Sequence, residues 1–161
     1  MPPKWQQRHI EWGVHWQIRS WPFERESIIV YRYQAATNCY ASAATLSSRP
    51  HVLLTHGWGG NAAQMLPLAN ALDNDGFVPI VIDAPAHGRS KGMTATLPQF
   101  AHTLEYVCAR LNAEGANLHA IAAHSLGASA SAFAVGRGLI THRLVRIAAP
   151  DCPRNYTRKF A

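Results

Sequence analysis

From residue 51 onward, apolar and polar positions change period from block to block. The stretch "HVLLTHG" (51–57) is a short apolar run stopped by glycine, the pattern of a strand buried on both faces. Next, "NAAQMLPLANALDNDG" (61–76) places Met65, Leu68 and Leu72 on one helical face and stops at Gly76, with Pro67 early enough for a first turn. "FVPIVID" (77–83) reads as a second buried strand, followed by the turn-rich "APAHGRSKG" (84–92). In "TLPQFAHTLEYVCARLNAEG" (96–115), Phe100, Leu104, Val107 and Leu111 recur at spacings of four, three and four. That spacing predicts an amphipathic helix, opened near Pro98 and closed before Gly115. "LHAIAAH" (118–124) is a third strand, residues 126–138 a helix of small residues, and "RLVRIAAP" (143–150) a fourth strand.

Strands alternating with helices call for an α/β fold, a mostly parallel sheet with helices on both faces. Ligands of such sheets bind beyond the carboxyl ends of the strands. The turns at 56–60, 83–90 and 124–127 all fall at those ends. Residues 1–50 form a separate, irregular N-terminal segment with one or two strands, the clearer being "SIIVYRY" (27–33). Trp5, Trp12, Trp16 and Trp21 crowd this segment, and "QAATNCYASAATLSSRP" (34–50) reads as a loop.

Composition narrows the function classes. The chain has 161 residues, 48% hydrophobic and 15% charged, enough for one core. No run of uninterrupted apolar residues is long enough to span a membrane, and the polar, aromatic N-terminus lacks the apolar core of a secretory signal, so a cytoplasmic location and no membrane partner are expected. Cys39, Cys108 and Cys152 are far apart and odd in number, which argues against a disulfide framework or a zinc site. The net charge is +6, but the arginines are scattered, and the densest patch (Arg154, Arg158, Lys159) lies at the end of the chain. No nucleic-acid partner is therefore expected, and no cofactor or metal.

The chemistry centres on Ser125, in "AIAAHSLGASASAFAVG" (120–136), where a strand meets a helix among small residues. A serine there could simply cap the helix that begins at Leu126. The alternative is a nucleophile on a sharp, strained turn, which needs small residues such as Ala123 and Gly127 two positions either side. In His56-Gly57-Trp58-Gly59-Gly60, glycines flanking Trp58 leave its backbone N–H free to point into the cleft. Paired with the N–H of Leu126, it would form an oxyanion hole. In Asp83-Ala84-Pro85-Ala86-His87-Gly88-Arg89-Ser90, Asp83, His87 and Arg89 are expected to fix the loop rather than to catalyse.

Taken together, "HGWGG", "DAPAHGRS" and "AHSLGA" resemble the α/β-hydrolase superfamily, most closely its bacterial esterase and peptidase-like members, over about residues 50–150. The resemblance implies that Ser125 is the nucleophile and that Trp58 and Leu126 supply the oxyanion-hole amides. It implies an ester, thioester or amide as small-molecule acyl substrate, and sets the chain apart from branches with aspartate at the nucleophile position. Ala123 stands where many relatives carry glycine.

The family orders its triad as serine, acid, histidine. After Ser125 the chain offers only Asp151 and His142, in the reverse order. Asp151 follows the last strand and suits an acid placed one strand early; His142 precedes that strand and belongs at its far end. The resemblance thus implies a C-terminally truncated α/β-hydrolase fold lacking the catalytic histidine, with an exposed sheet edge open to self-association. The alternative is a non-catalytic remnant or binding module with the same fold.

Overall fold

The computed structural model describes residues 12, 13, 15–34 and 49–150. They form one six-stranded sheet in the order β1-β2-β4-β3-β5-β6. The strands are β1 (Trp16–Phe23), β2 (Glu26–Tyr33), β3 (His51–Thr55), β4 (Val78–Asp83), β5 (Leu118–His124) and β6 (Arg143–Ile147). The helices are α1 (Leu66–Asn74), α2 (Leu97–Ala113) and α3 (Leu126–Gly136), with a 3-10 turn at Ala62–Met65 leading into α1.

Strands β4, β3, β5 and β6 pair in parallel, whereas β1 and β2 form a hairpin that joins β4 antiparallel through Ile29–Arg32. The sheet is therefore mostly parallel. Residues 16–23, which the apolar pattern does not single out, add an edge strand. Pro22 is tolerated there, and Glu24 takes φ 52° in the two-residue turn to β2.

Every residue of β3 and β4 is buried, as their unbroken apolar runs predict. On one face, Leu53, Ile80, Ile82 and Ile121 pack with Phe100, Leu104, Val107 and Leu111 of α2 and Ala128, Ala130 and Ala134 of α3. On the other, Val52, Leu54 and Val81 pack with Met65 of the 3-10 turn and Leu68, Ala69 and Leu72 of α1. Helix α2 is capped by a reciprocal pair, the Thr96 hydroxyl with the Gln99 N–H and the Gln99 side chain with the Thr96 N–H, and Gly115 closes it at φ 76°. Helix α3 has no polar face at its start; its small side chains let it lie against the sheet almost wholly buried through Ser131.

Two features of this architecture matter for function. The chain passes from β3 to β4 on one side, then to β5 on the other, so the sheet order reverses at β3, and it is beyond the carboxyl ends at such a switch point that α/β sheets bind ligands. At the opposite edge, β6 has no further partner among the described residues, and Val145 and Ile147 are 50% and 36% exposed. No described helix is long and apolar enough to cross a membrane.

Candidate functional site

Three turns meet at the carboxyl ends of β3, β4 and β5. Strand β5 ends at His124, and Ser125 carries the chain into α3 with φ 51° and ψ −118°. That is a left-handed conformation an L residue adopts only at a cost on the order of 1–3 kcal/mol. A capping serine has extended backbone and accepts a bond from the first helical turn. Ser125 has neither: its side chain makes no capping hydrogen bond. The residue stands at the N-cap position without acting as a cap.

The close approach of neighbours explains the small residues around it. A Cβ on Gly127 would strike the carbonyl oxygen of His56 and come within 2.9 Å of Thr55 Cγ2. A Cβ on Gly57 would stand 2.7 Å from Ser125 Cβ and 3.3 Å from its Oγ. The turn after β3 therefore lies directly against the serine, with backbone where any side chain would intrude. The N–H groups of Trp58 and Leu126 donate no hydrogen bond among the described residues.

The loop after β4 is built around a buried carboxylate. Asp83 accepts from Tyr31 Oη (2.8 Å), Ala62 N (2.7 Å) and Arg89 N (2.9 Å). Burial raises its pKa, opposed by the hydrogen bonds from Arg89, Ala62 and Tyr31. Burial, with the charge of Asp83, likewise pushes the Tyr31 phenol well above its ordinary value. Gly88, at φ 51°, is required because a Cβ there would collide with the Asp83 carboxylate. The Ser90 hydroxyl donates to the Asp83 carbonyl (2.7 Å) and accepts from Ile29 N (2.8 Å), which anchors the loop to β2.

Asp83 and His87 fix the loop, as the sequence predicts; Arg89 contributes through its backbone N–H. His87 is 3% exposed, and its Nδ1 lies 2.8 Å from the Pro85 carbonyl while its Nε2 accepts from Gly59 N at 3.0 Å. With both ring nitrogens engaged, it has none left for the serine. His142 stacks on His119 (ring centroids 5.7 Å apart) at the amino end of β6. The five strand residues from Arg143 to Ile147 separate it from the level of Ser125, about 16 Å of extended chain. Asp151 lies outside the described residues, as do Cys39, Cys152 and the basic patch at 154–159. No group of three or more His, Cys, Asp or Glu able to hold a metal occurs among the described residues.

Sequence reasoning missed two participants. Tyr31 reaches Asp83 across 52 residues because β2 lies antiparallel beside β4. The second is His56, wholly buried, with Nδ1 2.7 Å from the Gly57 carbonyl and Nε2 accepting from Ala84 N at 3.0 Å. Its place directly after a buried strand was the available signal.

The sequence pattern of the Alpha/beta hydrolase family matches residues 52–160, more than half the chain. The protein belongs to that family. No curated protein matches it. Among solved structures, an alpha-beta serine hydrolase homologue of Coxiella burnetii shares 18% identity at TM-score 0.69, covering 88% of this chain and 66% of its own. The esterase Pf2001 of Pyrococcus furiosus shares 16% at TM-score 0.65, covering 84% of this chain and 52% of its own. Epoxide hydrolase A of Mycobacterium thermoresistibile shares 18% at TM-score 0.64, covering 90% of this chain and 44% of its own. The chain thus spans between two-fifths and two-thirds of the length of these structures. At such identities the likeness establishes the fold.

Proposed function

We propose that Ser125 is the nucleophile of an acyl hydrolase acting on an ester, thioester or amide. The observation that carries this reading is the strained, uncapping serine at the β5–α3 junction, at the sheet's switch point. Its Oγ attacks the substrate carbonyl, and the resulting oxyanion accepts hydrogen bonds from the N–H groups of Trp58 and Leu126, reinforced by the α3 N-terminus. The serine proton passes to a base and on to the leaving alcohol, thiol or amine, which departs as the acyl-serine forms. Water then attacks the acyl-serine, and Ser125 regains its proton. The base is an imidazole outside the described residues, oriented by an acid, a role this reading gives to Asp151. A cytoplasmic location and self-association through the β6 edge complete the reading.

The second reading, a non-catalytic remnant or binding module, is favoured by one observation. The two buried histidines in the turns after β3 and β4, His56 and His87, have both nitrogens engaged with backbone groups. Hydrolysis of p-nitrophenyl acetate and of an acyl thioester by the purified chain, beside Ser125→Ala, separates the two. Turnover lost in the variant supports the hydrolase, whereas equal background rates in both proteins support the remnant.

A further inference from the structure

The hydrogen bonds of His56 and His87 are reciprocal. The ring from the β3 turn holds an amide of the β4 loop, Ala84 N, and the ring from the β4 loop holds an amide of the β3 turn, Gly59 N. Elementary valence fixes both protonation states. A carbonyl oxygen only accepts, so each Nδ1 facing Gly57 O or Pro85 O must carry the proton. An amide N–H only donates, so each Nε2 must be bare. Both rings are neutral and of the same tautomer.

Their partners bracket Trp58. The Gly57 carbonyl belongs to the same planar peptide group as the Trp58 N–H, and in a trans peptide the two point in opposite directions. Holding Gly57 O from one side, by His56 Nδ1 at 2.7 Å and Gly60 N at 3.1 Å, aims the Trp58 N–H to the other. The next peptide group, which carries Gly59 N–H, is held by His87 Nε2. Each peptide plane flanking the Trp58 Cα is thus fixed by one imidazole, while Gly57 itself lies against Ser125.

We propose that His56 and His87 form a reciprocal clasp that sets the direction of the Trp58 N–H, acting as positioning residues for acyl transfer. This rests on the reading of Ser125 and Trp58 given above. The surroundings suit neutral rings. Their centroids are 5.2 Å apart, and Phe100 of α2 presents its edge or face to both, at 6.0 and 5.2 Å. Trp58 presents its ring to His87 at 5.5 Å. Burial lowers the pKa of His56 to about 3 and that of His87 in the same direction. The charged and titratable groups facing them are Asp83 at the end of β4, which opposes the shift of His87, and His124 at the end of β5, which adds to that of His56. Protonating either Nε2 would set two donors against each other and open the clasp.

The test pairs His87→Phe, which keeps an aromatic ring but removes the acceptor, with His87→Gln, whose Oε1 can accept from Gly59 N–H. Fluorophosphonate labelling of Ser125 should slow by about tenfold or more in His87→Phe, because a misaimed oxyanion donor forfeits part of a 10²–10³-fold effect. Labelling in His87→Gln should return to within about threefold of the parent chain. By NMR, the Gly59 amide should lose protection from hydrogen exchange in His87→Phe and keep it in His87→Gln, and both rings of the parent should show the Nδ1–H tautomer. Parent-like labelling in a folded His87→Phe, equal slowing in both variants, or the Nε2–H tautomer in either ring would overturn the proposal. A parent chain that never labels at Ser125 overturns the serine reading and the clasp's catalytic purpose, while tautomers and amide protection still report whether the clasp exists.

Discussion

The α-carbon of Gly57 lies so close to Ser125 that a methyl group on it would stand 2.7 Å from the serine Cβ and 3.3 Å from its Oγ. Contacts between side-chain and backbone carbons settle near 3.5–4.0 Å, so this pair leaves no room for even the smallest side chain. The turn that carries Trp58 and the turn that carries Ser125 are held in register by that absence.

Gly57→Ala should therefore move the serine, the turn, or both. We expect a loss of about 1–3 kcal/mol of stability from overpacking, read from urea unfolding. Fluorophosphonate labelling at Ser125 should fall by about tenfold or more. A variant as stable and as reactive as the parent would show that the two turns are not coupled.

Stability should fall as the medium is acidified below neutrality. Burial lowers the pKa of His51, His56 and His87 from the ordinary 6.5. The unfolded chain then takes up protons from about pH 6.5 downward while the folded chain refuses them, which favours unfolding by up to about 1.4 kcal/mol per pH unit for each such group. Asp83, whose pKa is raised, works in the opposite direction, because the folded state binds its proton first. Three histidines against one carboxyl set the expected sign: urea midpoints lower at pH 5 than at pH 7.5. Equal or higher midpoints at pH 5 would contradict it.

The β6 edge should govern association. Val145 and Ile147 are half to one-third exposed on a strand whose outer hydrogen-bonding edge has no partner among the described residues. Such an edge templates pairing with another chain, and a charge placed on it blocks that pairing. In sedimentation velocity, Val145→Lys should shift the protein toward the monomer at concentrations where the parent associates. Unchanged association would move the contact elsewhere.

The fold was legible where both faces of an element are covered or where one face is. Strands β3, β4 and the Ala120–Ala123 part of β5 announce themselves as apolar runs because helices cover both their faces, and α2 does so by its spaced apolar stripe. Strand β1 was harder: it is an edge strand with three consecutive exposed residues and a proline, so neither alternation nor continuity survives in "WQIRSWPF". The antiparallel entry of β2 carries no local signal, since strand direction is decided by a partner far away in sequence.

The site divided along similar lines. Ser125 and Gly127 were visible because a strained turn demands small neighbours, and Gly57 as a flank that frees the Trp58 N–H; its close approach to Ser125 was not. The bonds of His56 to Ala84 and of His87 to Gly59 were not, because each spans 28 residues and depends on which ring nitrogen carries the proton. Nothing in a residue's identity states its tautomer.

The most direct measurement is to treat the purified chain with a fluorophosphonate and map the modified residues by peptide mass spectrometry, beside Ser125→Ala. Ser125 is one of several serines in the chain, so the others serve as the internal reference. The account predicts modification at Ser125 at least about tenfold faster than at any other serine, because the proposed oxyanion donors, the N–H groups of Trp58 and Leu126, would serve that hydroxyl, and its disappearance in the variant. Modification spread evenly over exposed serines, or none at Ser125 where others react, would contradict it.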